Sequence, residues 1–238
     1  MKNSLVMSCA GNRQAQTGRY WCMKKPSRIA VFLLVIFCAF TVSAQLEISA
    51  ILLGKIQQKF GDEAVTRVEQ WQDLMKTAKT LPEKEKLRRV NQFFNQRIEF
   101  VDDIYLWGVK DYWATPIEFL ARGAGDCEDY SIAKYFTLKE LGVSEKKMRI
   151  TYVKALKLRQ AHMVLTYFET PRAVPVVLDN LIPTIKPATE RKDLLPVYSF
   201  NGSGLWLAKA RGSGKKVGSS SRLNMWESLK NRMLSNEL

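Results

Sequence analysis

Two patterns in the sequence predict an α+β fold in which N-terminal helices precede an antiparallel sheet. Apolar residues recur at helical spacing through the first half of the chain, and short strand-like runs fill the second half. A third observation sets the scale. The chain has 238 residues, 46% of them hydrophobic and 25% charged. That is enough for one core-forming domain and too apolar for a disordered chain.

The elements follow in order. Residues 24–28 read Lys-Lys-Pro-Ser-Arg, an apolar run extends from Ile29 to Val42, and Ser43-Ala44 precede the polar Gln45. A basic patch, a short apolar run and small residues form a secretory signal pattern, with cleavage expected after Ala44. The run is short beside the about 20 apolar residues of a spanning helix, which makes a retained anchor the weaker alternative. Met23-Lys24-Lys25 is a compact signal start, so Met23 competes with Met1 as the true start. Residues 1–44 therefore read as an N-terminal extension with a signal peptide, and residues 45–238 as a single domain.

From Leu46 to about Arg97 the pattern is helical. Ile51, Leu52, Ile56 and Phe60 share one spacing, and Val65, Val68, Trp71 and Leu74 another. Leu81-Pro82-Glu83 opens a third helix carrying Leu87, Val90, Phe93 and Phe94. The stretch from Val101 to Trp113 is aromatic and acidic. Thr115-Pro116-Ile117-Glu118 reads as a helix start, with Thr at the N-cap, Pro at the first position and Glu in the first turn. Gly123-Ala124-Gly125 ends that helix. Asp126 precedes another, carrying Tyr130, Ala133, Tyr135, Leu138 and Leu141 and closed by Gly142. Strands are predicted around Met148–Val153, Met163–Phe168, Val174–Leu178, Val197–Phe200 and Leu205–Leu207. Residues 212–221 are rich in Gly, Ser and Lys and predict a mobile loop. Residues 224–234 predict a terminal helix.

Charge and rare residues narrow the function. There are 37 Lys and Arg against 23 Asp and Glu, a formal net charge of +14. That balance brings nucleic acid or anionic lipid into consideration. Removing residues 1–44 takes away Lys2, Arg13, Arg19, Lys24, Lys25 and Arg28, leaving 31 basic against 23 acidic residues, or +8. Export argues further against nucleic acid as a partner. The same cleavage removes Cys9, Cys22 and Cys38, so Cys127 is the one remaining thiol. The chain has a single histidine, His162, which excludes a multi-histidine metal site.

Cys127 follows Gly-Ala-Gly-Asp and opens a helix. Unpaired backbone N–H groups and the positive helix end favour the thiolate there, and the same N–H groups can stabilise an oxyanion. A cysteine that attacks an acyl carbon also needs a base, and the base needs an orienting group. Only His162, at the start of a strand, can be the imidazole. Asp179 ends the next strand and lies beside His162 if the two strands pair antiparallel. Singly, such a histidine is ordinarily a polar strand residue and such a cysteine merely a small one. Their joint occurrence with an aspartate at a strand end favours a Cys-His-Asp triad.

Asp126, Glu128 and Asp129 flank the thiol, and negative charges within about 4–6 Å oppose thiolate formation. One reading makes Asp126 an N-cap and lets Glu128 and Asp129 complement the helix dipole. The other has a hard, oxygen-ligated cation such as Ca²⁺ neutralise them.

The blocks Asp111-Tyr112-Trp113-Ala114-Thr115-Pro116, Gly125-Asp126-Cys127-Glu128-Asp129-Tyr130, Ala161-His162-Met163-Val164-Leu165 and Leu178-Asp179-Asn180 resemble the bacterial transglutaminase-like cysteine proteinases of the LapG type. The resemblance runs from about Asn91 to Phe200. It implies a papain/transglutaminase-like fold, a periplasmic location and calcium-dependent cleavage of the N-terminal region of a large surface adhesin near a pair of alanines. Such cleavage releases the adhesin and disperses biofilm. An inner-membrane receptor for cyclic di-GMP is the inhibitory partner the resemblance implies. Carried onto this chain, Cys127 is the nucleophile, His162 the base and acid, and Asp179 the orienter. Asp126 and Glu128 match the calcium-linked carboxylates, and Asp129 is a third expected ligand. Tyr112 or Trp113 would contribute to the oxyanion site or line the groove, unless they are core residues. The same triad could also transfer the acyl group to an amine, as a transglutaminase does.

Overall fold

Three helices open the fold of the computed structural model, which describes residues 48–208 and 214–235. The signal segment, Met23, Cys9, Cys22 and Cys38 lie outside the described residues. The first helix, α1 (Ala50–Phe60), is capped by Ser49, whose hydroxyl accepts from Leu52 N at 3.2 Å. The second, α2 (Asp62–Ala78), carries Asp62 and Glu63 in its first turn, where they complement the helix dipole. It buries Ala64, Val68, Trp71, Met75 and Ala78, a stripe at helical spacing. That stripe is rotated from the expected one, because Val65 and Leu74 sit at its margin. Ile51 of α1, expected inside, is 76% exposed. The third helix, α3 (Glu83–Arg97), follows Pro82 and buries Leu87, Val90, Asn91, Phe93 and Phe94.

A short strand β1 (Glu99–Phe100) pairs in parallel with β2 (Ala124–Gly125), bracketing the aromatic and acidic stretch. That stretch holds one turn of helix, α4 (Asp103–Leu106), and helix α5 (Pro116–Arg122) follows it. Helix α6 (Cys127–Glu140) is buried on nearly every face and packs against α3 and the sheet. Its buried polar groups find partners. Ser131 Oγ donates to Cys127 O at 2.9 Å, and Thr137 Oγ1 accepts from Trp71 Nε1 at 2.8 Å.

The remaining strands are β3 (Met148–Ala155), β4 (Gln160–Tyr167), β5 (Val176–Leu178), β6 (Lys186–Pro187), β7 (Leu194–Asn201), β8 (Gly204–Leu207) and β9 (Lys215–Gly218). They form one antiparallel sheet in the order β6-β5-β4-β3-β7-β8-β9. The predicted α+β class is therefore the observed one. Alternation splits the residues between the two faces. Met148, Ile150, Met163, Leu165 and Leu178 join the main core with the helices, whereas Val153, Val164 and Val177 form a second cluster on the far face. Helix α7 (Asn224–Ser235) closes the chain and buries Trp226 and Leu229.

The described part of the stretch expected as a mobile loop, from residue 214 on, holds regular structure. Residues 215–218 pair with β8 as the edge strand β9, and a 3₁₀ turn spans Ser220–Arg222. Its lysines hid it: charged residues suit an edge strand because they discourage further pairing. Among the described residues no helix is long and apolar enough to cross a membrane.

Candidate active site

Local rules bring Cys127 to its place. Thr115 Oγ1 accepts from Glu118 N at 3.2 Å and Glu118 Oε2 accepts from Thr115 N at 2.7 Å, the reciprocal cap that starts α5. Gly123 ends it in the left-handed conformation, φ 70°. Gly125 then runs tight against the next turn. A Cβ there would lie 2.5 Å from Asp129 Oδ2 and 2.6 Å from the Phe119 ring. That closeness lets Asp129 reach back, so Oδ2 accepts from Asp126 N at 3.3 Å and Oδ1 from Ala114 N at 2.8 Å. Asp126 is the N-cap and Cys127 the first residue of α6.

The Cys127 thiol faces β4. The backbone N–H of Met163, the residue after His162, favours its thiolate, and the thiol donates to Glu128 Oε2 at 3.1 Å. His162 and Asp179 form a buried pair, with Nε2 to Oδ1 at 2.8 Å and exposures of 3% and 1%. The sheet makes this contact. Strands β4 and β5 run antiparallel with Leu165 opposite Leu178, so Asp179 emerges one residue on toward His162. With Nε2 committed to Asp179, Nδ1 is the ring nitrogen left for another partner.

Asp179 is held from three further directions. Arg191 Nη2 donates to Oδ2 at 2.6 Å, Leu181 N to Oδ1 at 3.1 Å, and Asn95 Nδ2 to the Asp179 carbonyl at 2.7 Å. Burial raises the carboxyl pKa, but the bonds from His162 and Arg191 outweigh it and leave it below the ordinary value. Behind Asn95 stands Lys134 of α6, which donates to Asn95 Oδ1 at 2.7 Å. Arg191, Asn95 and Lys134 carried no signal in the sequence. They lie on separate elements, and a triad motif specifies only its own three members.

The acidic cluster is larger than the three flanking carboxylates. Asp103 and Asp111 bring oxygens within 4.8 Å of Glu128, and Asp103 likewise meets Asp126 and Asp129. Asp103 is 1% exposed. Its Oδ2 accepts from Tyr112 N, while its Oδ1 and Asp126 Oδ1 are buried without hydrogen-bond partners. Buried carboxylate oxygens without donors are costly, and several converging ones suit a hard cation held by oxygen. The donor set fits that class of ion. The remaining signal in the sequence was the run of acids before Trp113, which the fold turns toward α6.

The helix start does not by itself make a thiolate here. Burial pushes the Cys127 thiol up, and the charges of Glu128 and Asp126 push it further. Burial likewise raises Asp126, Glu128, Asp129 and Asp103, with neighbouring carboxylates adding to each. Burial is the larger of the effects that oppose the helix dipole, and repulsion by the adjacent carboxylates adds to it.

Trp113 and Tyr112 are packing residues. Trp113 is 4% exposed and stacks on Phe200 at 5.5 Å. Tyr112 packs on Trp107 and donates from its hydroxyl to Glu118 Oε1 at 2.7 Å.

Comparison with known proteins shows the family and the fold. A family model described as bacterial transglutaminase-like cysteine proteinase matches residues 58–200. Comparison with curated proteins returned no match. Among solved structures, Legionella pneumophila LapG in an EGTA-treated form is 44% identical with a TM-score of 0.68, covering 78% of this chain and 98% of that one. The calcium-bound form is 44% identical with a TM-score of 0.66, covering 78% of this chain and 99% of that one.

Proposed function

Because the chain belongs to the bacterial transglutaminase-like cysteine proteinase family, we propose that it is a calcium-dependent endopeptidase that cuts a large surface adhesin near a di-alanine. The observation that carries the reaction class is the buried His162–Asp179 pair, 2.8 Å apart, on the sheet against which the helix that starts at Cys127 packs. In this reading His162 Nδ1 takes the Cys127 proton as the sulfur attacks the scissile carbonyl. The C–N bond then breaks, the imidazolium returns the proton to the leaving amine, and a thioester remains. Water, deprotonated by His162, releases the acid and regenerates the thiol. The Cys127 N–H has no acceptor within the helix and is a candidate donor to the oxyanion. Asp179 fixes the ring by holding Nε2.

Asp126, Glu128 and Asp129, joined by Asp103 and Asp111, would hold the calcium ion, which is supported by the calcium-bound relative and the converging carboxylates. When bound, the ion supplies positive charge that offsets the carboxylates around the thiol.

The signal pattern before Gln45 supports export and a periplasmic setting. There the enzyme would release the adhesin and so disperse biofilm, with an inner-membrane cyclic di-GMP receptor as its inhibitory partner. The test is to incubate the protein with the N-terminal fragment of a candidate adhesin. Cleavage is expected with calcium, is lost in chelator, returns on adding calcium, and is absent in a folded Cys127→Ala variant. Normal cleavage by that variant would overturn the mechanism. Mass spectrometry of the products separates hydrolysis, which leaves two free termini, from acyl transfer to an amine, which leaves an isopeptide.

A further inference from the structure

Arg191 is 3% exposed, yet it carries a full charge. Its Nη2 lies 2.6 Å from Asp179 Oδ2 and 2.8 Å from Asp193 Oδ2, and its Nε lies 3.0 Å from Asp193 Oδ1. The guanidinium thus bridges two carboxylates and holds Asp193 through two nitrogens, a geometry the fork of arginine satisfies and lysine does not. Its Nη1 is buried without a hydrogen-bond partner. Removing such charges from water is expensive, and apolar replacements of a buried ion pair are often no less stable. Stability is therefore a poor reason for this arrangement, and its geometry suggests another. Asp179 has two carboxylate oxygens. Oδ1 holds His162 Nε2 and Leu181 N, and Oδ2 is held by Arg191. With Oδ2 fixed the carboxylate cannot rotate about its axis, and Oδ1 stays in line with the ring.

We infer that Arg191 is a positioning residue of the site, locking the Asp179 carboxylate so that the His162 ring keeps one orientation and one tautomer. Its kinetic consequence rests on the peptidase reading above, but its structural consequence does not. Asp193 in turn sets the plane of Arg191 from the more exposed side, where its side chain is 23% exposed. Asn95 and Lys134 secure the backbone of Asp179 from the helical layer, independently of Arg191.

The chain has a single histidine, so in untagged protein the imidazole signals of His162 are unambiguous by NMR. In the wild type the Nε2–H bonded to Asp179 is expected as one downfield resonance, slow to exchange with water. Arg191→Gln is expected to shift and broaden that resonance and speed its exchange. On a calcium-loaded protein and an adhesin N-terminal fragment containing Ala-Ala, it should lower kcat about tenfold or more, below the roughly 10⁴-fold that a wrong tautomer costs in a serine triad. KM should stay within about twofold, because Arg191 acts on the ring and not on the substrate. Arg191→Lys restores charge without the fork and is expected to recover only part of the resonance and rate. It also serves if Arg191→Gln does not fold.

A folded Arg191→Gln or Arg191→Lys with a wild-type His162 resonance and kcat would overturn the inference. A protein that cuts no adhesin fragment, but whose His162 resonance depends on Arg191, would defeat the peptidase reading and leave this inference standing.

Discussion

Replacing Lys134 with Met should change how stability depends on pH. Lys134 lies wholly inside the protein on α6, with Asn95 Oδ1 as its hydrogen-bond acceptor, the Tyr130 ring 5.5 Å away and Asp179 as its nearest attracting charge. Burial drives its pKa from 10.5 down to about 7, and Asp179 offsets only part of that fall. The folded value is the lower one. Between about pH 7 and 10.5 the unfolded chain therefore holds a proton that the folded chain does not, and stability contributed by this site rises with pH across that window. The penalty is fully present below about pH 7. At about 1.36 kcal/mol per unit, the fall corresponds to about 5 kcal/mol in all, of which about 3 kcal/mol is recovered between pH ~6 and ~9.5. Lys134→Met removes this dependence. At pH ~6 it should stabilise the protein by a few kcal/mol, less about 1–3 kcal/mol for leaving Asn95 Oδ1 without a donor. Guanidinium denaturation of both proteins at the two pH values measures the difference. A wild-type-minus-variant stability that stays flat from pH ~6 to ~9.5 would refute the reasoning, because it would mean the buried amine keeps its ordinary affinity for protons.

Further outcomes follow from the site. Asp103→Asn removes a buried charge from the acidic cluster, so the calcium concentration for half-maximal cleavage should rise about tenfold or more, with a matching loss of calcium-induced thermal stabilisation. The more exposed Asp111→Asn should have a smaller effect in the same titration. Gly125→Ala would drive a Cβ into Asp129 Oδ2 and the Phe119 ring, so a loss of about 1–3 kcal/mol in denaturation is expected, together with weaker calcium binding because Asp129 must shift. A variant with wild-type stability and calcium response would show that the turn relaxes freely.

Much of this site was legible because its chemistry is written in local rules. The start of α5 at Thr115-Pro116, its end at Gly123 and the start of α6 at Asp126 are caps, and a cap depends on residues within one turn. Cys127 and His162 stood out because each is the one residue of its kind from Gln45 onward. The edge strand β9 was not legible, since its Lys215-Lys216-Val217-Gly218 stretch has little strand signal and is organised by β8. Ile51 followed the helical period of α1 yet faces outward, because periodicity names a face without naming what covers it.

The deepest division lies between the reacting residues and those that hold them. Sequence alone determined the order helix-cysteine, strand-histidine, strand-aspartate, the α+β class and the carboxylates beside the thiol, because each rests on neighbouring residues or on residue type. Tertiary structure alone decided that Asp103 and Asp111 turn toward α6, that Arg191 clamps Asp179, and that Lys134 and Asn95 stand behind it. The physical reason is distance along the chain. These contacts join elements separated by many residues, and only packing α3, α6 and the sheet around one core brings their charges close enough to act on one another.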